Sequence, residues 1–249
     1  MILLGIDVGG SSIKAGLADI ERGEMASELL VVPTPQPSTP EPVMREVGEI
    51  ARRFPGSSGP VGFAFPSVVK DGRACTAANV DHAWLCAPGA ELASQAVGRP
   101  ALFLNDADAA GLAEMRWGAG KNTSGTVIML TFGTGIGSAI FRDGVLVPNT
   151  EFGHLEMRGG EAEHWAAARV KTELGLSWQE WTARVNDYLD AMHRLFWPDV
   201  FIIGGAVSQE YERFAPLLRS RAEIRPAHFA GQAGVMGAAL AAAEHFLRR

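Results

Sequence analysis

The stretch Gly5-Ile6-Asp7-Val8-Gly9-Gly10-Ser11-Ser12-Ile13-Lys14-Ala15-Gly16 decides the fold. The apolar run Ile2 to Ile6 leads into it and breaks at Asp7-Val8-Gly9-Gly10. A second run, Ile13 to Ala18, ends at Asp19. Two strand-like runs around a Gly/Ser turn read as a hairpin. The pattern returns later: Thr126 to Leu130, a break at Thr131-Phe132-Gly133-Thr134-Gly135, then Ile136 to Phe141 and Arg142-Asp143-Gly144. Laid over one another without gaps, the segments put Gly9 on Gly133 and Asp19 on Asp143. Such a repeat signals a duplicated domain, because solenoid repeats have a period of roughly 20–50 residues.

Other elements fall in place around the two hairpins. Leu29 to Val32 reads as a strand, and the Pro-rich stretch Pro33 to Pro42 as a loop. Val43, Met44, Val47, Ile50, Ala51 and Phe54 recur at helical spacing, which predicts a helix over Pro42 to Phe54. Val61 to Phe65 and Ala101 to Leu104 are strands, and helical spacing runs from Ala107 to Trp117. In the second half, helices are predicted at Glu161 to Leu174, Trp178 to Phe196, Gln209 to Arg219 and Gly234 to Leu247, with a strand at Val200 to Ile203. The expected architecture is α/β: two duplicated domains flanking a cleft. The expected division is 1–106 and 107–234, with the last helix, 235–249, packing back on the first domain.

Composition sets the outer limits. The chain has 249 residues, so at about 150 per domain it holds between one and two. It is 47% hydrophobic and 20% charged, which excludes a disordered chain, a collagen-like fibre and a coiled-coil rod. A formal net charge of -6 gives no overall pull toward nucleic acid or anionic membrane. The two cysteines, Cys75 and Cys86, make no CxxC or zinc-finger spacing and suit a reducing compartment. No basic, then apolar, leader opens the sequence, and no apolar run approaches the roughly 20 residues that cross a bilayer. The expectation is a cytoplasmic protein.

The glycine-rich turns invite a phosphate reading. A glycine lets its backbone N–H approach a phosphate oxygen closely, Ser11, Ser12 and Thr134 offer hydroxyls, and Lys14 is a nearby cation. Against this stands a tight hairpin that needs positive φ. Other phosphate motifs fail. Gly120-Lys121 is followed by Asn122, so there is no P-loop, and Ser138 stands where GxGxxG needs its third glycine.

Two polar clusters carry candidate chemistry. Asn105-Asp106-Ala107-Asp108 lies where a strand gives way to a helix. One carboxylate there is expected to cap the helix; the other can accept a proton from a substrate hydroxyl. The residues alone leave Asp106 and Asp108 undecided. Glu151-Phe152-Gly153-His154-Leu155-Glu156, with Glu161 and Glu163 beyond, suits the paired donors and acceptors that hold sugar hydroxyls. HExxH is absent, so no metal is expected there. Glu156 and Glu161 read as solvated loop residues.

Taken together these segments resemble the sugar kinases of the ROK family, within the actin–hexokinase (ribonuclease H-like) superfamily. Gly5 to Gly16 looks like the first phosphate loop, Leu130 to Phe141 like the second, and Leu104 to Gly111 like the catalytic segment. Glu151 to Glu156 is similar to the sugar-binding segment, and Ile202 to Ser208, with Gly204 and Gly205, to the nucleotide-side loop. Within the family, AANVDHAW (Ala77 to Trp84), NDADAAGLAE and VPNTEFGHLE look like the polyphosphate glucokinases.

The resemblance implies phosphorylation of glucose at its 6-hydroxyl from inorganic polyphosphate, and in many members also from ATP, with Mg²⁺. It makes Asp106 the base and Asp108 the helix cap or support. Asn79, Asn105, Glu151, His154 and Glu163 would hold the sugar. Asp7, Gly9, Gly10, Ser11, Ser12, Lys14, Thr134 and Gly135 would hold the donor phosphates. Many ROK members carry a cysteine-rich zinc site after the GH segment; Met157 to Ala166 contains no cysteine, so no zinc is expected. The resemblance also implies a homodimer. A strictly ATP-dependent gluco- or mannokinase is the nearest alternative. A non-catalytic sugar-sensing ROK protein or a chaperone-like ATPase of the superfamily stands further off.

Overall fold

The structure is a computed structural model in which residues 1–78 and 80–247 are described. Two compact units emerge: Met1–Arg116 with the C-terminal segment from Gln232, and Trp117–Gly231. The first division therefore falls at the end of a helix, where the sequence had suggested 106/107.

The first unit runs β1 (Ile2–Val8), β2 (Ser12–Asp19), β3 (Glu24–Met25), β4 (Leu30–Pro33), α1 (Pro40–Arg52), β5 (Val61–Phe65), the small hairpin β6 (Val69–Lys70) and β7 (Arg73–Ala74), α2 (Gly89–Val97), β8 (Ala101–Asn105) and α3 (Asp106–Trp117). The second runs β9 (Thr126–Phe132), β10 (Ile136–Arg142), β11 (Val145–Val147), β12 (Glu156–Met157), β13 (Gly160–Glu161), α4 (Glu163–Ala166), α5 (Ala168–Glu173), α6 (Trp178–Phe196), β14 (Val200–Gly204), α7 (Tyr211–Phe214) and β15 (Glu223–Pro226). The last helix, α8 (Ala233–Phe246), returns to the first unit.

The two main sheets have one plan. The first is ordered β3-β2-β1-β5-β8, with β4 also on β2; the second is β11-β10-β9-β14-β15. In each, an antiparallel hairpin pairs through its first strand with two successive parallel strands. The gapless superposition needs one correction. Val8 pairs with Ile13, leaving Gly9 to Ser12 in the turn; Phe132 pairs with Ile136, leaving only Gly133 to Gly135. The second loop is one residue shorter, so Ile13 corresponds to Ile136 and not to Gly137. Both isoleucines are buried. A one-residue slip reverses the faces of a strand, so the buried face fixes this register.

Each unit has its own core. In the first, Leu4, Ile6 and Val8 of β1 and Phe63 and Phe65 of β5 pack with Trp84, Phe103 and the buried face of α1. In the second, Trp181, Val185, Tyr188, Leu189 and Met192 of α6 cover Ile128, Leu130, Phe201 and Ile203. Helix α6 starts on a capping box between Ser177 and Glu180, the SxxE signature legible in the sequence.

Two predicted helices break up. The segment from Glu161 is split at Ala167, whose extended backbone (φ -59°, ψ 155°) separates α4 from α5. The Gln209–Arg219 segment is two 3-10 turns around the four-residue α7, and Pro216 lies in the second. Helix α2 is absent from the sequence reading: it is only nine residues long, and its apolar face is made mostly of small residues.

Helix α8 is buried from Ala233 through Ala243, so its apolar, alanine-rich sequence needs no polar face there. It lies close on the first sheet. A Cβ on Gly5 would meet the Val235 carbonyl, and one on Gly62 the Ala238 carbonyl; on the helix itself, a Cβ on Gly237 would meet the Ala109 carbonyl of α3. Glycine is required at these positions by close approach. Gly62→Ala is therefore expected to cost about 3 kcal/mol in urea unfolding. Gly56→Ala, whose Cβ meets nothing within 4 Å, should change stability by less than about 0.5 kcal/mol. Equal midpoints would contradict this packing.

Candidate active site

In the first unit the polar residues gather at the ends of β1, β5 and β8. Asp7 lies opposite Lys14 across the hairpin. Burial pushes the Asp7 carboxyl above its ordinary pKa, and the Lys14 charge opposes this. The first turn of α8 abuts the same carboxylate, since a Cβ on Gly234 would stand 2.6 Å from Asp7 Oδ2. A helix N-terminus favours negative charge.

The turn that follows is stapled from outside. Thr34 Oγ1 donates to the Gly9 carbonyl at 2.6 Å, Gln36 Nε2 to the Gly10 carbonyl at 3.4 Å, and Thr34 N–H to the Ser11 carbonyl at 3.1 Å. Thr34 and Gln36 were missed by the sequence reading, which saw in Pro33 to Pro42 only a loop.

Neither Gly9 nor Gly133 has a left-handed φ, so positive φ is not what requires glycine at these turns. Each closes its own turn: Gly9 N–H donates to the Ser12 carbonyl at 2.9 Å and Gly133 N–H to the Gly135 carbonyl at 3.0 Å. Those two amides are thus spent. A Cβ on Gly133 would meet nothing within 4 Å, so the space above it is open. The Gly133 carbonyl accepts from Arg169 N–H at 3.1 Å, which fixes the start of α5 beside the loop. Gly204 ends β14 opposite Thr131, and Gly205 packs so close to the Phe132 backbone that a Cβ there would meet its carbonyl oxygen at 2.6 Å. Gly204, Gly205 and the second loop are thereby brought together.

At the end of β8 the expected cap is corrected. Asn105, not a carboxylate, caps α3: its Oδ1 accepts the Asp108 N–H at 3.0 Å, while its Nδ2 donates to the Ser67 carbonyl at 3.1 Å. Asn105 and Asp108 are buried; Asp106 is half-buried, with Oδ1 accepting the Ala107 N–H at 2.8 Å. Asn79 lies outside the described residues.

In the second unit the sugar-type cluster is assembled from three short elements. Glu151 precedes a 3-10 turn, Phe152–His154, that Ser138 of β10 holds in place: Ser138 Oγ donates to the Thr150 carbonyl and accepts the Phe152 N–H at 3.0 Å. Tyr188 O–H donates to the Phe152 carbonyl at 3.1 Å, and burial, then the Glu163 charge, raises its pKa. Glu163, buried at the start of α4, accepts the Ile136 N–H at 3.3 Å.

Glu161 closes the cluster. The sequence reads it as a solvated loop residue, but its Oε2 stands 3.1 Å from His154 Nδ1. The missed signal is the Arg158-Gly159 pair: both have positive φ and turn β12 back along β13, so that Glu156 pairs with Glu161. His154, Glu161 and Glu163 offer ligand atoms within 4.8 Å of one another. Burial lowers the His154 pKa, but the Glu161 hydrogen bond and the charges of Glu161, Glu163 and Glu151 outweigh it, and the net shift is upward. Burial pushes Glu151 up; His154 opposes this and Glu163 adds to it.

The arrangement can therefore do two kinds of chemistry. The loops offer backbone N–H groups and hydroxyls to anions. The carboxylate–imidazole cluster offers paired acceptors and donors to a polyol.

Comparison with known proteins agrees with this chemistry. Residues 3–169 match the model of the ROK family. The chain is 47% identical over 242 residues to the polyphosphate glucokinase of Mycobacterium tuberculosis, covering 95% of this chain and 89% of the relative. It superposes with a TM-score of 0.95 on an inorganic polyphosphate/ATP-glucomannokinase from Arthrobacter sp. strain KM, at 44% identity over 98% of this chain and 99% of that one. A ROK family glucokinase from Streptomyces griseus, in complex with glucose and AMPPNP, gives 0.82 at 27% identity, covering 96% and 98% of the two chains. With its duplicated sheets, two glycine turns and the Glu/His cluster, this chain belongs to the ROK family.

Proposed function

We propose that this chain transfers a phosphoryl group to the 6-hydroxyl of glucose, with inorganic polyphosphate or ATP as donor. The observation that carries the reading is near full-length likeness to a polyphosphate glucokinase in a chain that has both loops and the Glu151/His154/Glu163 cluster. A homodimer and a cytoplasmic location belong to the same reading and rest on the family; among the described residues no helix is long and apolar enough to cross a membrane.

In this reading Asp106 takes the proton of the attacking hydroxyl. Burial supports the choice over Asp108: Asp106 keeps access to its surroundings, while Asp108 is almost fully covered. An aspartate of ordinary basicity serves, because in a loose phosphoryl-transfer transition state the proton leaves late. Glu151, His154 and Glu163 hold the remaining hydroxyls, with Asn105 and Asn79 assigned to the same substrate. The amides of Gly10, Ser11, Thr134 and Gly135 and the hydroxyls of Ser11, Ser12 and Thr134 receive the donor phosphates, with Lys14 as the local cation. Gly9 shapes the turn, its N–H being used within it. Gly204 and Gly205 shape the nucleotide side of the second loop. Catalysis is then positioning plus charge stabilisation.

Mg²⁺ suits the carboxylate of Asp7, a hard oxygen donor whose burial leaves its charge only partly offset by Lys14. Asp7 would hold it through water. When bound with the donor, the ion neutralises phosphate charge. No zinc enters the reading.

One assay tests the function: purified protein, glucose and Mg²⁺, with polyphosphate and ATP in turn. Product with polyphosphate supports it; product with ATP alone would make the chain a strictly ATP-dependent kinase, and none with either would leave a sugar sensor. Asp106→Asn is expected to lower kcat by about 10²–10⁴-fold with little change in glucose affinity, and near-normal turnover would remove Asp106 as the base.

Glu151→Gln and His154→Ala should chiefly raise the KM for glucose; an effect on donor affinity alone would contradict their role. Gly133→Ala should leave the Tm unchanged, its Cβ pointing into open space, yet raise the donor KM about tenfold. An unaltered donor KM would place the phosphates elsewhere. Because the chain carries a net charge of -6, long polyphosphate should need Mg²⁺ to screen the mutual repulsion, and an affinity indifferent to Mg²⁺ would count against that donor.

A further inference from the structure

We propose that Glu161 is a positioning residue for the sugar: by accepting the Nδ1 proton of His154 it fixes the imidazole and leaves Nε2 as the atom that meets a sugar hydroxyl. The inference rests on the reading of His154 as a sugar-holding residue and adds a residue that the sequence had assigned to solvent.

The geometry carries it. The Nδ1–Oε2 separation of 3.1 Å is hydrogen-bonding distance, and in such a pair a carboxylate can only accept. Nδ1 must therefore carry the proton, and the tautomer of a histidine follows from the bond its other nitrogen makes. The ring is not tied on both sides, since the His154 side chain keeps 38% of its surface exposed.

The chain is built to deliver Glu161 to this point. Arg158 and Gly159, both at positive φ, reverse it between β12 and β13. Beyond the hairpin, the Ala162 N–H donates to the Leu155 carbonyl at 2.8 Å. Arg158 at the tip donates to Asp187 Oδ2 of α6 at 2.8 Å and lies 4.8 Å over the Trp165 ring. The hairpin is thus held at both ends, and Glu161 sits beside the residue next to its base.

The neighbouring acids have other places. Glu163 accepts the Ile136 N–H and stands 4.0 Å from His164 Nε2; Glu151 lies on the far side of the 3-10 turn. The groups that face the ring electrostatically are Glu151, Glu161 and Glu163. Tyr188, whose hydroxyl donates to the Phe152 carbonyl, feels Glu163 in turn.

The charge of Glu161 has a second consequence. It helps keep the imidazole protonated to higher pH, so that Nε2–H remains a donor. The sign follows: below the folded pKa of His154 the charged Nε2–H makes the stronger bond, and glucose affinity falls toward that of the neutral Nδ1–H tautomer, whose Nε2 accepts, as pH rises through it. Removing the Glu161 charge moves that fall to lower pH.

Glucose binding measured by calorimetry without donor separates these effects from turnover. Glu161→Ala is expected to weaken glucose binding about tenfold, with the donor KM unchanged. Glu161→Gln, which keeps an acceptor, should restore affinity to within about threefold at low pH while its loss of affinity begins at lower pH. In ¹⁵N-histidine spectra at alkaline pH, with His154 assigned by its absence in His154→Ala, the wild type should show the Nδ1–H tautomer. Glu161→Ala should shift it toward Nε2–H.

Wild-type affinity and tautomer in both Glu161 variants would overturn the inference. So would glucose binding lost on chelator dialysis and restored by Zn²⁺, because Nδ1 would then be a metal ligand. If instead His154→Ala binds glucose normally, the reading of His154 itself fails, whatever Glu161 does.

Discussion

Val8 pairs with Ile13 and Phe132 pairs with Ile136, and from these two contacts the placement of the polar groups follows. Each pairing buries one face of its hairpin and ends the ladder where a short turn must close. In the first unit this sets Asp7 opposite Lys14, next to the stapled turn. In the second it puts Ile136 N–H within reach of Glu163 and Ser138 beneath the Phe152–His154 turn. The loops differ by one residue, so they are not copies in detail. The longer one closes Gly9 on Ser12 and is held by Thr34 and Gln36 from the segment after β4; the shorter one closes on itself and is held by α5.

The strands and the long helices could be read from the sequence because their buried faces leave continuous or periodic apolar patterns. Val61–Phe65 and Val200–Gly204 are buried at every position, and the apolar runs there mark central parallel strands. What stayed hidden depends on single dihedrals or on tertiary context. Nothing in Trp165-Ala166-Ala167-Ala168 announces that Ala167 is extended. A one-residue difference between two turns cannot be seen by overlaying glycines, because the overlay rewards matched glycines and ignores which face each isoleucine takes. Helix α2 turns Leu92, Ala93, Ala96 and Val97 to the core, a helical spacing that the sequence reading passed over because the segment is short and mostly small residues.

The site divides in the same way. Residue types and spacing pointed to both loops, to Asn105–Asp108 and to the Glu/His segment, but not to the role of each member. The choice of cap is an example. Asn and Asp cap equally well by type, and Asn105 holds the Asp108 N–H because β8 runs to Asn105 and α3 starts at Asp106, which puts its Oδ1 over the first turn. Glu161 was discounted because acids in loops are usually solvated; the Arg158-Gly159 reversal that returns it to His154 is a backbone event.

The net charge of -6 constrains how a polyanion can be held, and several arginines are already engaged within the protein. Arg213, Arg219, Arg221 and Arg225 lie close together in the sequence, but they share no helix. Arg225 is tied to Glu223, the Ala119 carbonyl and Thr123; Arg213 pairs with Glu210; Arg142 pairs with Asp143. Arg99 is turned onto the Ser57 and Gly59 carbonyls. Cations spent on carbonyls and acids of their own unit have less charge to offer a ligand. What the two turns themselves offer phosphate is short-range: turn amides, loop hydroxyls and Lys14. A protein of this composition grips an anion by geometry over a few ångströms, and the rigidity of the two hairpin turns sets how well it can do so.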